Sequence, residues 1–167
     1  MHDTLRAIKA RRDSEDEGFT LIELMVVVLI IAILIAIAIP TFLGARNRAQ
    51  DRAAQSNLRN ALTNAKAIFT DNEDYTTASA NSDAALTAAE PSLTFQAGAS
   101  TAPKQISVDT PATTQIVLVS LSKSGKCFAI KDDTSGPGTK FGTVASGACT
   151  AANAGTGGGV TSWGDSW

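Results

Sequence analysis

Histidine is nearly absent from this chain. Of 167 residues only His2 carries an imidazole, at the extreme N-terminus. A Ser–His–Asp or Cys–His site needs an imidazole held inside a folded domain, and an H-E-x-x-H zinc site needs two. A Walker A loop is also missing. Gly125–Lys126 lacks a glycine five residues earlier, where Ser120 stands, and Cys127 replaces the Ser or Thr. This inventory argues against an enzyme and implies no cofactor or metal. Charge of one sign is lacking too: a net charge of −2 and a pI near 5.3 argue against a dedicated nucleic-acid binder. Aromatic residues number nine and cysteines two.

Large apolar residues are scarce over most of the chain and crowded into one stretch. From Arg46 to the end, 19 of 122 residues are Leu, Ile, Val or Phe, fewer than a packed domain normally uses. Residues 24–39 (LMVVVLIIAILIAIAI) are sixteen apolar residues in succession. The uncharged stretch from Leu24 to Ala45 would span about 33 Å as a helix, enough for a bilayer core. A buried globular helix would keep one wet face, which this run lacks. A cleavable secretory signal would be shorter and end at a small-residue site, whereas Ile39, Pro40 and Thr41 follow here. The run therefore reads as a membrane helix.

Basic residues flank this helix almost evenly: Arg6, Lys9, Arg11 and Arg12 before it, and Arg46, Arg48, Arg52 and Arg59 after it. The positive-inside rule therefore gives no orientation. The cysteines do. Cys127 and Cys149 are the only pair, and in a domain so poor in large apolar residues they read as a disulfide, which requires an oxidising compartment. That places the C-terminal part outside and the N-terminus in. Glu23 starts the helix with a carboxylate. It is either an interfacial charge favoured by the helix N-terminus or one that a partner chain neutralises.

Gly18 to Pro40 reads GFTLIELMVVVLIIAILIAIAIP, which closely resembles the prepilin signature of type IV pilins and the related secretion pseudopilins. A glycine, a phenylalanine, a glutamate five residues after the glycine, a long apolar run and then a proline carry the resemblance. It implies cleavage after Gly18 by a prepilin peptidase and N-methylation of Phe19. Glu23 would neutralise the new N-terminal amine of a neighbouring subunit during assembly. Physical chemistry agrees, because an unpaired ammonium at the edge of an apolar helix bundle is costly, and glycine lets a protease approach the backbone. The leader is longer than many pilin leaders and acidic before the cut (Asp13, Glu15, Asp16, Glu17). Pro40 removes one helix hydrogen bond and Gly44 follows, which predicts a kink or pliable joint there.

Residues 45–70 continue helically. Ala54, Leu58, Ala61, Leu62, Ala65, Ile68 and Phe69 fall on one core-facing stripe. Ala45, Ala49 and Ala53, with Phe42, form a second, small-residue face that reflects either helix propensity or close packing between subunits. Arg48, Arg52, Arg59 and Lys66 share a third stripe. It is either solvated or faces acids of a neighbour, such as Asp71, Glu73 and Asp74.

Beyond Phe69 the pattern breaks, with a short helix expected near 82–89. Strands are expected at 115–121, 126–131 and 139–145, with a weaker one at 105–109, joined by Ser124–Gly125 and Ser135–Gly138 turns. A bridge between Cys127 and Cys149 would close about 23 residues and contribute roughly 3 kcal/mol. Gly155 to Gly159 is expected to be flexible, and one of Trp163 and Trp167 to dock on the sheet. Asp132 and Asp133 supply two carboxylates, too few to hold calcium. Lys123, Lys126, Lys131 and Lys140 read as a protected sheet edge rather than a basic patch.

The expected architecture is thus α+β and pilin-like: a long N-terminal helix, half membrane and half amphipathic, packed on a small antiparallel sheet of three or four strands. Its segments would be a leader (1–18), an assembly helix (19–45), an amphipathic half (46–70) and a variable loop with sheet and disulfide region (71–167). The resemblance implies a structural prepilin that passes from the bilayer of the cytoplasmic membrane into an extracellular helical homopolymer. Its partners would be the peptidase, the membrane platform and assembly machinery, and other copies of itself. The alternative is a pseudopilin of a type II secretion or DNA-uptake machine.

Overall fold

The computed structural model describes residues 18–78, 84–145, 148–155 and 159–167. The leader up to residue 17, the start of the 82–89 segment and the middle of Gly155–Gly159 lie outside the described residues. Helix α1 runs over Leu21–Asn72 with Pro40 inside it. A 3-10 turn follows at Tyr75–Ala78, then α2 at Ala84–Ala89 and α3 at Ala151–Gly155. The strands are β1 (Thr94–Gln96), β2 (Gln105–Ala112), β3 (Gln115–Leu121), β4 (Cys127–Asp133) and β5 (Lys140–Val144). The chain divides after Gly44 into two units.

In the second unit five strands lie in the order β1-β2-β3-β4-β5. The sheet is therefore larger than the three or four strands expected. It is also mixed rather than antiparallel, because β1 runs parallel to β2. The missed strand has only three residues, TFQ, too few to show alternation. Its connection to β2 is far shorter than a usual parallel crossover. Burial holds it in place: Leu93 and Phe95 are both in the core.

The remaining strands form a meander, with β3 falling on the expected residues. β2 runs past Asp109 through a register shift to Ala112. Pro111 sits in that shift, where its missing N–H breaks no ladder bond. β4 extends to Asp133, two residues past the expected end, because the Asp132 side chain is fully bonded inside the fold.

The sheet has two covered faces. On one, Ile106, Val108, Ile116, Leu118, Phe128 and Ile130 meet the expected helix stripe, with Ala54, Leu58, Ala61, Leu62 and Ala65 buried and Ile68 and Phe69 packed against them. On the other, Val117, Val119, Cys127 and Ala129 are covered by Ala151 and Ala154 of α3. The bridge between Cys127 and Cys149, with 5.8 Å between Cα atoms, fastens this cover. The Ala151 N–H donates to buried Ser107 Oγ at 2.9 Å. The disulfide thus anchors the lid of a second core layer.

Both terminal tryptophans dock, not one. Residues 160–164 bridge to the outer edge of β5 through Phe141↔Gly164 and Val144↔Val160. This puts Trp167 against the helix-side core and Trp163 against the α3-side core. The Trp167 indole N–H donates to the carbonyls of Gly142 (2.9 Å) and Ala129 (3.2 Å). Gly142 is required for this wrap, since a Cβ there would lie 2.5 Å from Val160 Cγ1 and 3.3 Å from the Trp163 ring.

Candidate functional site

The first unit contributes the N-terminal half of α1, with its large side chains bare. Between Leu21 and Leu43 every Leu, Ile, Val, Met and Phe is exposed, from Leu21 at 77% to Val26 and Leu43 at 48%. This is the one helix among the described residues long and apolar enough to cross a membrane. Soluble monomers do not leave contiguous apolar surfaces of this extent in water. The segment therefore needs lipid or other helices around it.

Thr20 and Glu23 form a reciprocal cap at the start of this helix. The Glu23 N–H donates to Thr20 Oγ1 at 3.2 Å, and the Thr20 N–H donates to Glu23 Oε2 at 3.0 Å. The Thr20 hydroxyl adds a third bond to the same Oε2 at 2.8 Å. This is a capping box, which satisfies two of the helix's orphan N–H groups. The sequence signal T-x-x-E was legible in Thr20-Leu21-Ile22-Glu23, but the reading of Glu23 as an intermolecular charge passed over it. Both bonds to the Glu23 carboxylate use Oε2, and Oε1 receives none among the described residues. Gly18 and Phe19 precede the cap outside any helix or strand, with Phe19 86% exposed.

Pro40 and Gly44 lie within continuous helix. Pro40 has no N–H for the Ala36 carbonyl, and the Thr41 hydroxyl donates to the Ile37 carbonyl at 3.1 Å, a back-bond that helices accommodate by bending.

In the second unit, two polar clamps hold the amphipathic half of α1 to the sheet. At one, Asp51 is buried and accepts from Ser122 Oγ (2.8 Å), from Ser124 Oγ, and from Lys126 Nζ (3.2 Å). Burial alone would raise its pKa, but the Ser124, Ser122 and Lys126 contacts outweigh it and hold the carboxyl below its ordinary range. At the other, Asp132 accepts from Lys66 Nζ (2.9 Å), Thr139 Oγ1 (2.5 Å) and the Tyr75 hydroxyl (2.7 Å). Here too burial pushes upward and loses to Lys66, Thr139 and Tyr75, so the carboxyl titrates low. Tyr75 is pushed well above its usual value by burial and by the adjacent Asp132.

These contacts reassign several cations. Lys66 is spent within its own chain, and Arg59 stacks over the rings of Trp167 (4.8 Å) and Phe141 (5.8 Å). Half of the cationic stripe is therefore used inside the subunit rather than on solvent or a neighbour. Of the sheet lysines, Lys126 pairs with Asp51, Lys140 with Asp165, and Lys131 covers Trp163 at 4.6 Å. Asp132 is fully engaged and Asp133 is bonded by Gln115 and Ser135.

A long N-terminal helix on an α+β sheet, bare at its apolar end and packed at its amphipathic end, is the pilin-like arrangement. Residues 14–39 match the family model for the prokaryotic N-terminal methylation motif. The chain therefore carries the signature of type IV pilins and pseudopilins, which marks a structural subunit. Neither the curated proteins nor the solved structures yield a match to the chain.

Proposed function

We propose that the chain is the precursor of a type IV pilus subunit, cut after Gly18, methylated at Phe19 and polymerised through α1. The observation that carries the reading is the coincidence of the methylation motif with the uncovered half of α1. Before assembly the bilayer covers that half; in the filament, sister helices replace the lipid. Cleavage leaves an ammonium at Phe19, beside the capping box. Glu23 satisfies its own helix end through Oε2 and offers Oε1 to the amine of a neighbour displaced along the axis. Under this reading residues 1–18 are the leader, 19–45 the assembly helix, 46–70 the amphipathic half, and 71–167 the surface of the filament.

Mass and N-terminal sequence of sheared surface filaments test this. The expected product starts at methylated Phe19. An intact Met1 form confined to membranes would defeat the proposal, and processed protein confined to short periplasmic assemblies would favour a pseudopilin.

A further inference from the structure

Beside the Asp51 clamp the second unit carries an open groove of about 730 Å³ between α1 and the loop before β2. Ala49, Ala53 and Pro103 line its apolar floor, and Arg46, Lys104 and Lys123 line its cationic part. The Asn57 amide donates to the Pro103 carbonyl at 3.0 Å and holds the loop against the helix. All three cations are exposed, and none forms an ion pair among the described residues. Asp51, on the same stretch of α1, is buried and already neutralised by Lys126. The groove is therefore a preformed concavity with uncompensated positive charge.

The same unit has a complementary feature at the far end of the helix. Asp71, Glu73 and Asp74 gather where α1 ends. Asp71 and Glu73 are exposed and form no ion pair among the described residues, while Asp74 Oδ1 accepts from the Thr76 N–H at 2.7 Å. Glu73 has φ of 55°, a conformation that glycine or asparagine adopts more readily. Helix termination therefore gives no reason for an acidic side chain at this position.

We infer that the groove is the docking site for the Asp71–Glu73–Asp74 turn of a second copy of this chain. The inference rests on the filament reading and deepens it by naming a contact outside the apolar helices. Groove and turn lie about 30 Å apart along α1 at 1.5 Å per residue. One molecule therefore cannot join its own two patches, and under the filament reading, where copies repeat along one axis, the contact is heterologous. Such contacts run head to tail and build open filaments where the rotation between copies does not close into a ring. A folded turn with a few carboxylates suits an alanine-floored groove carrying three cations. A duplex would call for a longer track of phosphate contacts, and the chain as a whole is acidic.

Charge reversal in the full chain, expressed with its assembly machinery, tests the pairing. Lys104→Glu with Lys123→Glu, or Asp71→Lys with Glu73→Lys, should each lower the yield of sheared filaments about tenfold or more, because like charges then face each other. A chain carrying all four changes should assemble again, as should the two double variants expressed together. Rescue excludes a simple folding defect, since no folding defect is repaired by a second chain. Wild-type filaments whose yield is untouched by either double reversal, or reversals that are never rescued, would overturn the groove contact alone. Absence of wild-type filaments would instead remove the filament reading itself. Duplex DNA captured by wild-type filaments and lost in a Lys104→Glu, Lys123→Glu variant that assembles normally would assign the groove to nucleic acid and overturn the proposal.

Discussion

Replacing Asp132 by Asn isolates the charge in the Lys66–Asp132–Tyr75 clamp while keeping side-chain volume. The partners are unequal: the Asp132 side chain is 4% exposed and that of Lys66 46%. Lys66 can turn to water when its partner is neutral, so the change does not strand a buried ammonium. It does strand donors. Lys66 and Thr139 both donate to Oδ1 and Tyr75 donates to Oδ2, and an amide presents only one acceptor oxygen to these three groups. Losing one charge-assisted bond and weakening two others should cost about 2–3 kcal/mol at pH 7. That is large against the 6–18 kcal/mol, roughly, expected of a unit this size. Lys66→Met should cost about 3 kcal/mol or more, because it leaves the buried Asp132 carboxylate ionised without its cation.

The pH dependence separates charge from packing. Because the folded-state pKa of Asp132 is lowered, its contribution is fully present above the ordinary Asp range near 3.9. It is lost as pH falls through the lower folded value. Urea unfolding of residues 45–167, followed by circular dichroism from pH 7 down to pH 2, should show the wild type and Asp132→Asn converging at the acid end. A difference under about 0.5 kcal/mol at pH 7, within the noise of ordinary surface substitutions, or a gap that persists unchanged in acid, would refute the electrostatic account.

Three further outcomes follow from the same packing. Replacing both cysteines by serine should cost about 3 kcal/mol, and hydrogen exchange should show the Ala151 amide, held by Ser107 Oγ, losing protection before the helix-side core does. Gly142→Ala should displace residues 160–163 from β5, costing about 1–3 kcal/mol as overpacking does, with a red shift of tryptophan emission as the check; unchanged emission and stability would mean the tail does not need that close approach. Pro40→Ala should restore the hydrogen bond to the Ala36 carbonyl and give filaments that extend less under force; equal extensibility would count against a pliable joint at Pro40–Gly44.

The long helix was readable from an unbroken apolar run followed by a core stripe with a 3.6-residue period, and Gln115–Leu121 stood out as a short run of Ile, Val and Leu. What the sequence hid was set by distant contacts. Strand β1 is three residues long and exists because Phe95 is buried beside Ile106. Strand β4 runs past its expected end at Lys131 because Lys66, Tyr75 and Thr139 converge on Asp132 from elsewhere in the chain. The second core layer depends on Cys149 bringing two alanines onto Val117 and Val119; Ala151-Ala152-Asn153-Ala154 has no pattern that announces a lid. At the candidate assembly site the residue types and their spacing were legible, whereas the Thr20 cap was present in the letters and overlooked.

The two polar clamps answer a difficulty created by the alanines. Ala54, Ala61 and Ala65 let the helix lie close to the sheet, but small side chains interlock weakly and a stripe of them resists axial sliding poorly. A slide of one helical turn shifts every helix residue by about 5.4 Å. Asp51 would leave Ser122 and Lys126, and Lys66 would leave Asp132, so both carboxylates would stay buried without their cations. Leaving an uncompensated charge in the interior costs about 3–5 kcal/mol, more than the alanine contacts alone could impose as a barrier. A core with few large apolar residues can therefore still fix one register between helix and sheet. It does so through charge placement at both ends of the amphipathic segment, while the large apolar side chains of Leu21–Leu43 stay uncovered by the fold.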